Sequence, residues 1–132
     1  MPNGRRPSGG PVRHQNPNYK FTDYPNIPYT GPIAVDPGPD WPLETQQWWG
    51  FVSAMPHCAA WAPTDWQYAK DTGHIHARWT ETRSDKYLAE LRQREAKMGT
   101  TLDARFAIRV RWIDPNEAMD TDATVSPIRK IG

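Results

Sequence analysis

The stretch that decides the fold is Leu88-Ala-Glu-Leu-Arg-Gln-Arg-Glu-Ala-Lys-Met-Gly99-Thr-Thr-Leu-Asp-Ala-Arg-Phe-Ala-Ile-Arg-Val-Arg-Trp112. Leu88, Leu91 and Met98 recur at helical spacing, with Tyr87 beside them, and Ser84 or Thr82 stands ready as an N-cap. Glu90 and Arg94 form an i,i+4 pair in the favourable order. Gly99 is a natural helix stop. Thr100 or Thr101 then caps a further segment with Asp103 in its first turn. Here the period is ambiguous: Leu102, Phe106, Val110 and Ile113 fit a helix, whereas Phe106, Ile108, Val110 and Trp112 alternate as in a strand. The cap and the Leu102-Asp-Ala-Arg105 opening favour helix, and Asp114-Pro115 ends it.

Two more helices are expected upstream. Asp40 reads as an N-cap, with Pro42 in the first turn, where its missing donor costs nothing. Leu43, Gln47, Phe51 and Ala54 follow at helical spacing, and Pro56 ends the segment at Met55. His57 to Ala62 is a connector. The next helix starts near Pro63 with Thr64 and Asp65 at its positive end, and Trp66, Ala69, Ile75 and Trp79 along one side. Gly73 within it predicts a kink or break, since Gly costs about 1 kcal/mol relative to Ala in a helix.

The remainder is different in kind. Ten of the fourteen prolines lie in the first 42 residues, with Gly4, Gly9, Gly10, Gly31 and Gly38. Such a stretch cannot form a continuous helix or a central strand, and with few aliphatic residues it cannot offset its ordering entropy alone. The chain therefore divides into a Pro/Gly-rich arm (1–40), a Trp-rich pair resembling a helix-turn-helix (41–81), a helical oligomerisation segment (82–115) and a flexible polar tail (116–132). The expected class is all-α, with about four helices. A core drawn from Trp41 to Pro115 alone is marginal without help. The single cysteine, Cys58, excludes an intrachain disulfide, so association with further copies is the expected source of additional burial.

Net charge is +1, which says nothing of partners. Between Arg78 and Trp112, however, nine Lys or Arg face five Asp or Glu, and the arm carries Arg5, Arg6 and Arg13. Phosphate contact follows as a hypothesis. No run of about 18 apolar residues offers a membrane span, and no secretory signal pattern is visible. A cytoplasmic, soluble protein is expected.

Catalytic and metal chemistry find little support. His74 and His76 lie two apart, about 200° from one another on a helix, and cannot chelate together; His57-Cys58 lacks a second ligand pair of zinc-type spacing. Cys58 reads as a small buried hydrophobe rather than a nucleophile. Asp65, Asp71 and Glu81 read as helix-start and surface charges. Gly9-Gly10 lacks the strand and Lys-Ser/Thr of a phosphate loop. No cofactor or metal is expected. The chain has seven tryptophans, and Trp48, Trp49, Trp61, Trp66 and Trp79 suit a tryptophan-rich core better than a base-stacking platform.

The order of these motifs resembles a known family. Asp40-Trp-Pro-Leu is followed by Gln47-Trp-Trp-Gly-Phe-Val-Ser-Ala-Met-Pro-His-Cys-Ala-Ala-Trp61, by Leu88 to Gly99, and by Asp103-Ala-Arg-Phe-Ala-Ile-Arg-Val-Arg-Trp112. This looks like the small terminase subunits of tailed phages that infect actinobacteria, over roughly Asp40 to Pro115. Met98 stands where leucine is usual, Ala104 separates Asp103 from Arg105, and Trp112 replaces a typical tyrosine. The resemblance implies a non-enzymatic subunit of the DNA-packaging motor, acting in the host bacterial cytoplasm. It implies a homo-oligomeric ring that binds double-stranded viral DNA and the large terminase subunit, which holds the ATPase and nuclease.

On that reading DNA meets Gln67, Lys70, His74 and Arg78 on the outer face of the second helix, together with Arg5, Arg6 and Arg13. Leu88, Leu91, Met98, Phe106 and Trp112 are expected between protomers. Pro127, Ile128, Arg129, Lys130 and Ile131 form a short apolar-basic tag for the large subunit. The competing readings are a head–tail connector or other virion structural protein, and a helix-turn-helix transcription regulator, which predicts a dimer on a palindromic site.

Overall fold

Pro42, with φ −60° and ψ 159°, occupies the N-cap position of the first helix, α1 (Leu43–Val52), and no side chain caps it. Asp40 is therefore not the cap expected from the sequence; Gln46 Nε2 instead donates to the Trp41 carbonyl at 2.8 Å. The computed structural model describes residues 20–117. After α1 a 3₁₀ turn (Pro56–Ala60) leads to α2 (Pro63–Thr82). Proline at the start of α2 leaves no donor unsatisfied, and the Asp65 carboxylate accepts from the Ala62 N–H at 2.8 Å. Arg83, in the left-handed region at φ 53°, ends the helix. The connection from Ser53 to Ala62 is longer than the 3–4-residue turn typical of a helix-turn-helix.

α2 runs through Gly73 without a break. The break that the sequence allowed there is absent, and Gly73 has a packing task. A Cβ at this position would overlap the Trp41 ring, with Cζ2 only 2.6 Å away. The indole of Trp41 therefore lies directly on the α2 backbone, which only glycine permits.

α3 (Asp85–Met98) is capped by Ser84, whose hydroxyl accepts from Lys86 N–H, and is closed by Gly99 at φ 78°. Thr101 caps α4 (Leu102–Ala107). The ambiguous segment then divides. Its first half is the expected helix, but Arg109 turns the chain at φ 62° and Val110–Ile113 is a strand, β2. Helical capping governs the start, and β-branched Val110 and Ile113 with Trp112 suit the half-buried sheet that follows.

The partner of β2 is unexpected. It pairs in parallel with β1 (Thr22–Pro25), in a register that sets Thr22 against Val110 and Pro25 against Ile113. Residues from Lys20 to Asp40, read from the sequence as part of a separate arm, are thus laid on the chain's own helices. The Tyr29 N–H donates to Ala54 O at 2.9 Å, and its ring tilts against Trp66 at 5.9 Å. Trp41 joins Trp49, Val52, Met55, Cys58, Trp66, Ala69 and Met98 in one core, with Tyr29 and Val35 packed on it. The core is therefore less meagre than a count from Trp41 to Pro115 implies, because the proline-rich segment contributes apolar cover without forming a helix.

Among the described residues the architecture is mostly helical, with one two-stranded sheet. Among the described residues, no helix is long and apolar enough to cross a membrane.

Candidate nucleic-acid interface

α2 presents Gln67, Lys70, His74 and Arg78 in one row, as the 3.6-residue period requires. Their surroundings differ. Gln67 Nε2 donates to Asp71 at 3.1 Å. Lys70 is half-buried, and Arg78 donates to the Tyr87 hydroxyl at 3.0 Å with its guanidinium over that ring. His74 is exposed, yet its Nδ1 accepts from Trp41 Nε1 at 3.2 Å. Half of its imidazole therefore serves the core, and only Nε2 faces outward. This row is interleaved with Asp71 and lies close in sequence to Glu81 and Asp85, so its field is mixed.

A second cluster gathers three of the basic residues that the sequence marks between Arg78 and Trp112. α4 and β2 bring Arg105, Arg109 and Arg111 around two aromatic rings. Arg105 lies 3.6 Å above the Trp112 ring, while Arg111 and Arg109 stand over Phe21 at 5.1 and 5.8 Å. Arg105 also donates to Gly99 O at 3.0 Å, and Arg111 forms a forked pair with Asp23 at 2.9 and 3.1 Å. The Asp23 carboxylate already pairs Arg111, while Arg105 lies close on Trp112 and Arg109 stands nearer the edge of contact with Phe21; the three gather arginine charge, the kind that meets phosphate, at one place. Phe21 comes from the segment leading into β1, so the strand that carries the basic arm enters the fold at this cluster. The alternation of Ile108, Val110 and Trp112 leaves Arg109 and Arg111 for the other face of a strand; what that strand pairs with has no local signal.

Arg5, Arg6, Arg13 and Pro127 to Ile131 lie outside the described residues. Of the expected interface residues, Leu91 and Met98 are 1% and 3% exposed within a single chain. They belong to the protomer's own interior, and their assignment to a contact between copies is corrected: α3 turns its apolar stripe onto α2 and the core. Leu88 and Trp112 are half-buried. Phe106 is 66% exposed, as is its neighbour Leu102 at 77%, which the sequence reading omitted. α4 thus keeps an apolar face toward solvent.

Two buried histidines are structural. His57 Nε2 is 2.7 Å from Met98 O, which can only accept, so Nε2 carries the proton and Nδ1 accepts from Trp112 Nε1 at 3.1 Å. That neutral tautomer agrees with a pKa pushed down by burial. His76 stacks on Trp48 at 5.2 Å and shares a 2.8 Å hydrogen bond with Thr45, and burial lowers its pKa too. The Glu95 carboxylate, buried beside them, accepts from Trp48 Nε1 at 2.8 Å and from Arg92 at 2.6 Å. Cys58 donates to Val52 O, and burial pushes its thiol up to about 12, far from the range of a reactive thiolate. Among the described residues no cluster of His, Cys, Asp and Glu is arranged to hold a metal ion.

Comparison with known proteins gives one match. The family model described as "Phage terminase small subunit" matches residues 4–131. No curated protein and no solved structure matches the chain.

Proposed function

Because this chain belongs to the phage terminase small-subunit family, we propose that it is the non-catalytic subunit that recognises viral DNA and regulates the large terminase during genome packaging. The observation that carries the DNA-binding part is the arginine cluster at the root of the arm. Arg105, Arg109 and Arg111 are fixed on aromatic rings where the strand following the Arg5, Arg6 and Arg13 region enters the fold. Arg5, Arg6 and Arg13, which precede β1 in the sequence, are proposed to add further phosphate contacts to those of the cluster. Gln67, Lys70, His74 and Arg78 on α2 offer a second, more mixed row.

Single contacts to phosphate are weak. Several copies acting together multiply them by effective concentration, which is why a ring suits this role. The face that supports assembly is the exposed side of α4, Leu102 and Phe106, with Trp112 beside it; half-buried Leu88, on the first turn of α3, remains a proposed contact between copies. Pro127 to Ile131 remain the proposed contact with the large subunit, in the infected host's cytoplasm.

The test is the salt dependence of duplex binding. Each neutralised phosphate contributes about −0.9 to the log–log slope. Arg109→Ala with Arg111→Ala should therefore flatten the slope by roughly 1.8, if each residue meets one phosphate. Lys70→Ala with Arg78→Ala measures the α2 row in the same way. A slope unchanged in the first pair removes the cluster from the DNA site; a slope unchanged in both removes the reading.

A further inference from the structure

A cleft of about 510 Å³ lies between α1, the 3₁₀ turn and the end of α3. Val52, Met55, Pro56 and Trp48 form its apolar floor and wall, and Phe51 stands at the rim 80% exposed. So large an aromatic surface beside an open apolar cleft leaves apolar area that an occupant would remove from water. Trp112 is the one residue it shares with the basic cluster, and none of the α2 row lines it.

We propose that the cleft is the intramolecular seat of the chain's own segment Pro127–Ile131, with Ile128 and Ile131 as its apolar anchors. Three observations select this occupant. First, the chain leaves β2 at the cleft itself. Trp112 lines it, and Asn26, another lining residue, donates to Ile113 O at 2.7 Å. Second, the chain is long enough. The eleven steps from Glu117 to Ile128 span up to roughly 36 Å when extended, more than a domain of this size requires. Third, the chemistry matches. Arg129 and Lys130 separate the two isoleucines, and the cleft and the groove that continues it carry Arg92, Glu95 and Asp103, a net charge of one negative.

The amino-terminal segment is the weaker occupant. Parallel pairing places Lys20 at the opposite end of the strands from Asn26, and residues 1–19 contain no leucine or isoleucine. The tail segment is also the one proposed to reach the large subunit, so docking would hold it in reserve until that partner competes for it. This consequence rests on the proposed function; the docking does not.

The test uses the full chain labelled with ¹³C at the methionine methyls. Met55 lines this cleft, whereas Met98 lines a separate groove beside Trp61 and Tyr68 and serves as the internal control. In the double variant Ile128→Asp, Ile131→Asp the Met55 resonance should shift while Met98 stays in place. A peptide of Thr124–Gly132 added to that variant should return Met55 toward its original position. The peptide should have no effect when Phe51→Asp is also present, and Phe51 is exposed enough for that change to leave the fold intact. An unmoved Met55 resonance in the double variant, or a peptide response that survives Phe51→Asp, would overturn the assignment. A Met55 resonance in the unaltered chain that moves on dilution would identify a second copy as occupant and would equally overturn it. No DNA or large subunit is present, so failure here is distinct from failure of the functional reading.

Discussion

Gly50 and Gly73 offer the same substitution in two helices with opposite expected signs. Replacing a helical glycine by alanine gains about 1 kcal/mol of helix propensity at either site. At Gly50 the new methyl meets nothing within 4 Å among the described residues, so the gain should appear in full when measured with Ile128→Asp, Ile131→Asp present to keep the tail out of the cleft that Gly50 lines. At Gly73 the methyl would sit inside the Trp41 ring, with Cζ2 at 2.6 Å and Cζ3 at 3.2 Å. Trp41 cannot yield cheaply. It is buried, packs edge-on to Trp49 at 5.6 Å, and is hydrogen-bonded to His74. Overpacking of this kind costs about 1–3 kcal/mol. Propensity cancels between the two variants, so their difference isolates the steric term. Gly73→Ala should be less stable than Gly50→Ala by about 1–3 kcal/mol, or roughly 4–24 °C in Tm for a domain of this size. Thermal and urea unfolding followed by circular dichroism would measure both. Equal stabilisation by the two substitutions would refute the claim that Trp41 is seated on the α2 backbone, and with it the account of how the proline-rich segment completes the core.

Further outcomes follow from buried groups and from the basic cluster. The pKa values of His57 and His76 are lowered below the ordinary 6.5 in the folded chain, so the unfolded chain binds more protons as pH falls. Their contribution to stability is complete above 6.5 and is lost as the pH falls from there toward the folded values; the urea midpoint should drop between pH 7.5 and 5.5, and a midpoint that rises on acidification would contradict the neutral assignment. Leu91→Ala should cost about 2–5 kcal/mol as a core truncation, and its denaturation midpoint should fall without any change in native mass in light scattering; loss of mass without loss of stability would return Leu91 to an interface. Arg111→Ala breaks a pair whose partners are partly exposed, so stability should change by less than about 1 kcal/mol, while the salt slope of DNA binding flattens; an unfolded variant would show the residue to be structural.

Much of the helical framework was legible locally. Ser84, Gly99 and Thr101 act at helix ends as their side chains and φ angles dictate, and Pro63 opens α2 as its missing donor allows. What escaped was non-local. Nothing near Thr22 signals a parallel partner 88 residues later at Val110, and nothing near Gly73 reveals an indole arriving from Trp41. Leu91 and Met98 show the same limit. An amphipathic stripe announces that it will be buried but not against which surface, and here α2 of the same chain takes it. The candidate site divides likewise. The α2 row follows from helical period alone, whereas the arginine cluster exists only because β1 brings Phe21 beside Arg109 and Arg111.

The central claim is that copies of this chain associate through the exposed face of α4 and bind DNA as an assembly. Native mass by light scattering at micromolar concentration, with and without Phe106→Asp, tests it most directly. The native mass should be a multiple of the 15.1 kDa chain mass, collapsing to a folded single copy in the variant with loss of tight duplex binding. An unaltered chain that is monomeric, or a variant that keeps the full mass, would contradict it.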